Sequence, residues 1–320
     1  MEIRIKFEYK KICDMNTTLI SIIIRTLNEE RHLPSLLKGI YSQKCIYSFD
    51  INLIDSGSDD QTLKIAKDFK CRITHIDKKD FSFGRSLNQC INFSKGCYLV
   101  LISGHCIPKN NYWLENLVKP LVEGSVQLTY GRQLAGEKSN WSERQIYKKY
   151  FPVQQKIPQE GFFCNNANSA VLRSTWEKYK FNEELTGLED MEFAKRMVNE
   201  GGKVGYVSTS EVYHLHNESW SQVRRRFERE AIALKVIFPE IQIKKRNVIN
   251  YILAGIWNDI FPKDDVKPKL SNLMEIIFYR INQYFGSYKG NNYRNSLTEE
   301  LREVYFYPKP SINDISKIRN

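Results

Sequence analysis

The first part of the chain alternates between short runs rich in β-branched residues and segments with the three-to-four-residue spacing of amphipathic helices. Five of these runs predict strands, at 19–25, 49–55, 71–77, 97–103 and 125–131. The first of them, 19–25, has a continuous apolar character that indicates burial on both faces. The pattern therefore predicts the α/β class, with a Rossmann-like, mostly parallel sheet and helices on both of its faces.

Polar turns follow three of the predicted strands, at Thr26 to Glu29, Asp55 to Ser58 and Ser103 to His105. Ligands of open α/β sheets bind outside the carboxyl ends of the strands, so we expect these turns to line one cleft. Asp55 has a second interpretation, as a turn-forming residue that caps the following helix.

The pattern is less regular in the middle of the chain. Residues 132–165 are rich in polar and aromatic side chains and indicate a loop. After this segment, 168–173 predicts a strand, 188–200 a helix and 203–216 two short strands.

From residue 219 onward the chain predicts helices, with apolar stripes at 248–261 and 270–285. Such stripes usually pack on the same domain or on a second copy of the chain, which leaves a homo-oligomer open. We expect three segments, an N-terminal arm at 1–18, an α/β domain at 19–218 and a helical, basic extension at 219–320.

The chain is strongly basic, since 48 Lys and Arg residues against 37 Asp and Glu residues give a net charge of +11. This excess favours anionic partners such as nucleoside diphosphates, acidic glycans or anionic lipids. We expect no nucleic-acid partner, because no aromatic-basic module of the kind such proteins carry is present. No apolar stretch is long enough to cross a bilayer and the first ten residues lack the core of a secretory signal, which predicts a soluble, cytoplasmic protein.

Six motifs occur in a fixed order along the chain: SIIIRTLNEE, IDSGSDDQT, FGRSLNQCI, LISGHCIP, GLEDMEFAKRM and VYHLH. Their succession resembles the family-2 glycosyltransferases of the GT-A fold, and 19–218 would be the nucleotide-sugar-binding and catalytic domain. The resemblance implies an inverting enzyme that moves a sugar from a UDP- or dTDP-linked donor. The implied acceptor is a hydroxyl of a cell-surface polysaccharide, of the capsule or O-antigen type, or of its lipid-linked precursor.

The resemblance also implies a set of nucleotide-binding residues: Thr26, Asn28, Glu29, Asp55, Ser56, Arg85, Asn88 and Ser103. Within this set Asp55 would accept hydrogen bonds from the base. A guanidinium can donate two parallel hydrogen bonds to a phosphate, so Arg85 is a candidate diphosphate contact. A surface ion pair is the alternative for Arg85.

The Asp-any-Asp metal motif of the family is replaced here by Ser103-Gly104-His105. The family's divalent cation would be Mn²⁺ or Mg²⁺, and histidine nitrogen suits Mn²⁺ better than Mg²⁺. The resemblance implies His105 and His216 as ligands, with His214 as the alternative to His216 because the two alternate along one strand. A purely structural histidine, or cationic side chains that stabilise the diphosphate without metal, is the other interpretation.

Asp190 matches the Glu-Asp motif of the family at the start of a predicted helix. In an inverting transfer a carboxylate must remove the proton of the acceptor hydroxyl, and the resemblance implies that Asp190 does so, with Glu189 beside it. Capping of the helix is the alternative role. Arg132 and Arg225 are candidates for contacts with acceptor or phosphate.

Two other functions stay open at this point. The lost acidic motif is compatible with a catalytically silent scaffold or binding subunit. A sugar-phosphate nucleotidyltransferase would share the start of the fold, but its Gly-rich loop is absent after the first predicted strand.

Lys244, Lys245 and Arg246 directly precede an amphipathic segment that carries Trp257. This combination suits a helix lying on an anionic membrane surface. Peripheral contact with the inner face of the cell membrane is therefore one interpretation of the extension.

Overall fold

The computed structural model describes residues 20–216, 218–263, 266–294 and 299–307. The predicted N-terminal arm, 1–18, lies outside them. The described chain divides into two compact units. The first contains the described residues up to Leu134, Phe151–Glu183 and Asp190–His214, and the second contains Ala135–Tyr150, Glu184–Glu189 and the described residues from Leu215 onward.

Eight strands of the first unit form one sheet in the order β3-β2-β1-β4-β7-β6-β8-β5. The strands are β1 (Ile20–Thr26), β2 (Phe49–Asp55), β3 (Arg72–His75), β4 (Tyr98–Ser103), β5 (Cys106–Pro108), β6 (Leu128–Ala135), β7 (Asn168–Leu172) and β8 (Val204–His214). The α-helices of the described residues are α1 (Leu33–Tyr41), α2 (Thr62–Asp68), α3 (Phe83–Phe93), α4 (Trp113–Val122), α5 (Trp141–Tyr150), α6 (Arg173–Tyr179), α7 (Glu189–Asn199), α8 (Trp220–Ile237), α9 (Lys245–Ile260), α10 (Leu273–Asn291) and α11 (Glu299–Phe306).

The first four strands pair in parallel, and β1 lies between β2 and β4, with Ile22 opposite Ile51 and Val100. The apolar residues of β1 are buried on both faces of the sheet. Ser21, a buried polar residue of β1, accepts a hydrogen bond from the N–H of Gly96. The predicted α/β class, with a helix-covered sheet and a helical C-terminal region, is confirmed.

The second half of the sheet is antiparallel, because β7 pairs against both β4 and β6 and β5 pairs against β8. The strand predicted at 125–131 forms slightly later, as β6, and runs antiparallel to β7. The two strands predicted at 203–216 are one continuous strand, β8. No glycine or proline interrupts its middle, where the polar residues Ser208 to Ser210 are compatible with extended backbone.

The segment predicted as a loop at 132–165 contains the end of β6 and all of α5. Helix α5 was missed because its buried side is partly polar. Ser142, Glu143 and Tyr147 are its buried residues, so the apolar periodicity that marks a helix is weak.

Small residues allow two helices of the second unit to pack closely. A side chain at Gly286 or Gly290 of α10 would collide with backbone carbonyl oxygens of α8, those of Arg224 and Glu228. Helix α9 is joined to α10 by a buried ion pair in which Arg280 Nε lies 2.7 Å from Asp259 Oδ2. Within the described part of the chain, no helix combines the length and apolar character required to cross a membrane.

The apolar stripes predicted at 248–261 and 270–285 are largely exposed. On α9 the buried residues are Val248, Gly255 and Asp259, while Ile249 and Leu253 face outward. On α10 the most exposed apolar residues recur at three- and four-residue intervals, namely Met274, Phe278, Ile281 and Phe285. Glycine, tyrosine and arginine residues provide much of the buried side of α10 instead.

Candidate active site

Two loops at the carboxyl ends of β1 and β2 are tied together by hydrogen bonds. The Thr26 hydroxyl donates to Asp55 Oδ1 at 3.1 Å, and the N–H of Asn28 donates to Ser58 Oγ at 2.9 Å. The N–H of Glu29 donates to Thr62 Oγ1 at 2.8 Å. These loops contain five of the predicted nucleotide-binding residues, and the hydrogen bonds fix them before any ligand binds.

Asp55 is buried and shapes the second loop. Its Oδ2 accepts from the N–H groups of Gly57 and Ser58, both at 2.9 Å, while its Oδ1 accepts from the hydroxyls of Thr26 and Ser58. This is the geometry of a turn-forming aspartate. A nucleobase donor would therefore share oxygens that already accept hydrogen bonds. Ser56, also buried, donates its hydroxyl to the carbonyl of Thr26.

Arg85 and Asn88 lie on α3 and both contact Glu183. Arg85 Nε is 2.9 Å from Glu183 Oε2, and Asn88 Nδ2 donates to Glu183 Oε1 at 3.0 Å. Asn88 also accepts hydrogen bonds from the Trp176 indole and the N–H of Phe181. Burial opposes ionisation of Glu183, but the hydrogen bonds from Asn88 and Arg85 lower its pKa. The ion pair expected as the alternative for Arg85 is thus present.

His105 and His214 stack against each other, with ring centroids 5.0 Å apart. Their Nε2 atoms are separated by 3.1 Å. His105 follows β4 and His214 ends β8, and β5 brings them together because Cys106 pairs with His214. Of the two downstream histidines considered for the metal, this pairing places the alternative, His214, against His105.

The hydrogen-bond partners of this pair determine which ring nitrogens carry protons. His105 Nδ1 lies 2.7 Å from the Glu29 carboxylate, which can only accept, so Nδ1 is the donor. The N–H of Ala167 donates to Asn165 Oδ1, and Gln133 Nε2 donates to the same oxygen. This fixes the orientation of the Gln133 amide.

With the amide so oriented, Gln133 Oε1 faces His214 Nδ1 at 2.7 Å, and Nδ1 of His214 must donate to it. In the neutral rings the two Nε2 atoms therefore both carry lone pairs. Two lone pairs at this separation repel each other unless a proton or a cation compensates them.

A divalent cation fits this pair. Metal-binding histidines commonly donate their second ring N–H to a carboxylate or a carbonyl oxygen, as His105 does to Glu29 and His214 does to Gln133. Gly104 makes the arrangement feasible, because a side chain there would press on Glu29 Cγ and on the carbonyl of Arg25. Nitrogen ligands suit Mn²⁺ better than Mg²⁺.

His216 belongs to the second unit. Its Nδ1 lies 2.7 Å from Glu143 Oε1, and Tyr147 Oη is 3.4 Å from the same nitrogen. Arg226 lies 3.5 Å from Glu143 and 2.7 Å from Glu218. The acidic groups around His216 are thus already compensated by a guanidinium.

Asp190 is 7 % exposed and lies near the end of β4. Its Oδ2 accepts a hydrogen bond from the N–H of Asn166 at 2.9 Å. The next residue, Ala167, accepts from the N–H of Ser103 through its carbonyl oxygen. Two successive residues, Asn166 and Ala167, therefore connect the carboxylate to the end of β4, where Ser103 and His105 stand in place of the acidic motif. Glu189, the first residue of α7, is also buried.

The two arginines predicted to contact acceptor or phosphate are held by other groups. Arg132 Nη1 lies 2.9 Å from Glu211 Oε1, and its Nε donates to the carbonyl of Phe151. Arg225, in the second unit, contacts the Ser221 hydroxyl at 3.4 Å.

Sequence reasoning missed Gln133, Asn165 and Asn166, which orient His214 and Asp190. They carry no motif of their own. A signal for Asn165 and Asn166 is the segment 165–168, which contains three asparagines and leads into an apolar strand.

A sequence model of glycosyl transferase family 2 matches residues 21–179. The O-antigen chain rhamnosyltransferase RfbN of Salmonella typhimurium is 30% identical over 211 residues, which cover 62% of this chain and 67% of the relative. The O-antigen chain rhamnosyltransferase WbaN of Salmonella anatum is 26% identical over 187 residues, covering 55% of this chain and 59% of that one.

Solved structures with the same fold include S. aureus TarS 1–349 in complex with UDP-GlcNAc, at a TM-score of 0.53 and 14% identity. The superposition covers 90% of this chain and 91% of TarS 1–349. The mannosyltransferase PcManGT of Pyrobaculum calidifontis, in complex with GDP-Man and Mn²⁺, also gives a TM-score of 0.53, at 13% identity, covering 99% of this chain and 86% of that one.

Proposed function

Because this chain belongs to the family-2 glycosyltransferases, we propose that it is an inverting enzyme that transfers a sugar from a UDP- or dTDP-linked donor to a hydroxyl of a surface glycan or its lipid-linked precursor. Two relatives are O-antigen chain rhamnosyltransferases, which supports an O-antigen-type polysaccharide as the acceptor to test and rhamnose as the first sugar to test. Membrane-bound acceptors of this kind would bring the protein to the inner face of the cell membrane.

The observation that carries the proposal is the position of Asp190. Its carboxylate is buried and accepts a hydrogen bond from the N–H of Asn166, and the neighbouring residue, Ala167, accepts one from the N–H of Ser103 at the end of β4. Donors of this fold type bind at that edge of the sheet. In the proposed reaction Asp190 accepts the proton of the attacking hydroxyl while the bond from the anomeric carbon to the diphosphate breaks on the opposite side.

The nucleoside and diphosphate are assigned to the loops after β1 and β2. Thr26, Asn28 and Asp55 fix the shape of these loops through the hydrogen bonds between them. Because the two loops are already ordered, they lose little conformational freedom when the donor binds. Arg85 pairs with Glu183 and so holds α3 in place. It would contact the diphosphate only if the guanidinium left Glu183.

Family members with this fold often use a divalent cation, and we assign His105 and His214 as its candidate ligands. Such a cation would neutralise charge on the departing diphosphate. Glu29 and Gln133 would hold the two rings in the tautomer that offers Nε2.

A donor assay with purified protein tests the proposal. Asp190→Asn should retain donor binding, measured as thermal stabilisation by dTDP-rhamnose or UDP-sugars, and lose transfer by about 10²–10⁴-fold. Asp68→Asn, which removes an exposed carboxylate from α2, is the matched control and should transfer at the wild-type rate. Wild type that binds donor but never transfers or hydrolyses it would indicate the silent scaffold instead.

A further inference from the structure

Helix α9 presents a stripe of large apolar side chains to solvent. Ile249, Leu253 and Trp257 recur every four residues and are 64%, 60% and 64% exposed. The buried residues of this helix include Gly255 and Asp259. With 3.6 residues per turn, they lie on the opposite face of the helix from the stripe. The stripe therefore makes no contribution to the core.

An aromatic pair ends the stripe. Phe261 is 53% exposed, and its ring lies 4.4 Å from that of Trp257. Single exposed apolar residues are common on protein surfaces, whereas a contiguous stripe of this kind marks an interaction surface.

The charges around the stripe indicate what covers it. Lys244, Lys245 and Arg246 are exposed at the start of α9. Cations at a helix N-terminus oppose the macrodipole, so they do not stabilise the helix. The one acidic residue of α9, Asp259, is buried against Arg280. A second copy of this chain, itself at +11, would bring cations against cations, whereas an anionic lipid surface complements them.

We propose that α9 is a membrane-docking helix that lies in the plane of an anionic bilayer. The stripe Ile249–Leu253–Trp257 reaches the boundary of the acyl chains, with Phe261 at its end, while the Lys244–Arg246 cluster contacts lipid phosphates. The proposal deepens the proposed function and rests on it for the lipid-linked acceptor. It places the enzyme on the same surface as that acceptor.

Co-sedimentation of the full chain with vesicles tests the proposal. Wild type should bind vesicles of phosphatidylethanolamine and phosphatidylglycerol, and bind neutral phosphatidylcholine vesicles much more weakly. Lys244→Gln/Lys245→Gln should lower the partition coefficient roughly 25-fold, since each cation near the surface contributes about fivefold. Trp257→Ser should lower it about tenfold or more.

Matched controls test whether the effect depends on α9 itself or only on the loss of an apolar side chain or of two cations. Phe93→Ser removes an apolar side chain of similar exposure, 60%, from the end of α3, and Lys64→Gln/Lys67→Gln removes two cations from α2. Neither should change vesicle binding. Equal losses in the controls and in the α9 variants would overturn the proposal, as would wild type that binds neither kind of vesicle.

Two further measurements distinguish the remaining outcomes. Sedimentation velocity without lipid reports whether Trp257→Ser dissociates a dimer, a result that would assign the stripe to a second copy and overturn the proposal. Thermal stabilisation by the nucleotide sugar, also without lipid, should be equal in wild type and all these variants. Its absence in every form would count against the proposed function and leave the vesicle result independent.

Discussion

Backbone and amide groups hold two of the candidate site side chains, Asp190 and His214. Asp190 is held by the N–H of Asn166, and His214 by the Gln133 amide, whose orientation is fixed by Asn165. Amide groups keep their protonation state over the whole physiological pH range. These hydrogen bonds to Asp190 and His214 should therefore persist over the physiological pH range.

At the residue scale, the facing lone pairs of His105 and His214 lead to a metal-binding prediction. Mn²⁺ should raise the unfolding temperature of wild type, because a ligand at about 100 times its Kd adds roughly 2.7 kcal/mol to the free energy of unfolding. His214→Ala should abolish most of this increase, measured by scanning calorimetry. His75→Ala, at an exposed position on β3, is the control and should keep it.

Equal stabilisation of wild type and His214→Ala by Mn²⁺ would contradict the assignment of His214. Stabilisation by Mg²⁺ that exceeds that by Mn²⁺ would contradict the nitrogen ligands, because Mg²⁺ prefers oxygen.

At the scale of elements, Glu183 ties α3 to the segment that follows α6, through Arg85 and Asn88. Hydrogen bonds from these residues lower the Glu183 pKa against the effect of burial, so the contribution of this contact to stability is present above the ordinary pKa of glutamate. It is lost as the pH falls through the lowered pKa of the folded state. Glu183→Gln should therefore reduce the fall in unfolding temperature between pH 5 and about pH 3.

The control for this prediction is Glu123→Gln, which removes an exposed carboxylate whose contact with Lys119 spans 3.9 Å. Its acid profile should follow that of wild type. An unchanged profile in Glu183→Gln would show that Arg85 and Asn88 do not stabilise the ionised carboxylate.

A second prediction at this scale concerns the packing of α10 on α8. Gly290→Ala would force a side chain against the carbonyl of Glu228, and overpacking of this kind typically lowers the free energy of unfolding by about 1–3 kcal/mol. Gly187→Ala is the control, because the nearest atom to an added Cβ is Arg229 Nε at 3.7 Å. Urea denaturation should separate the two variants, and equal midpoints would show that α10 can move away from α8.

The same elements show how far the sequence predicts the structure. Strands β1 to β4 are confirmed. β1 and β4 are nearly continuous apolar runs, and burial leaves such runs few alternatives, whereas β2 carries Asp50 and Asn52 and β3 is partly exposed. Helix α5 was missed because Glu143 and Ser142 take buried positions where apolar residues were expected. The apolar stripe on α9 was located correctly, but its exposure to solvent was not predicted. The side of α9 that packs on α10 contains Gly255, and a search for periodic apolar residues does not detect a glycine.

At the scale of the whole molecule, the family and the fold could be predicted from the order of six motifs, since each motif follows a strand or begins a helix. The site is harder, because its orienting residues come from three distant stretches of chain. Gln133, Asn165 and Asn166 have no periodic or charge signal, and the pairing of β4 with β7 and of β5 with β8 brings the neighbourhoods of Asp190 and the histidines together.

The pairing of β5 with β8 also links the histidines to the stability of the sheet edge. Strand β5 is three residues long and forms the rim of the sheet, and its first residue, Cys106, is in register with His214. A proton or cation shared by the two rings would therefore hold β5, an edge strand, against β8. Binding at the histidines and local unfolding of β5 would be linked equilibria, so occupancy of the site would lower the frequency at which this edge of the sheet opens.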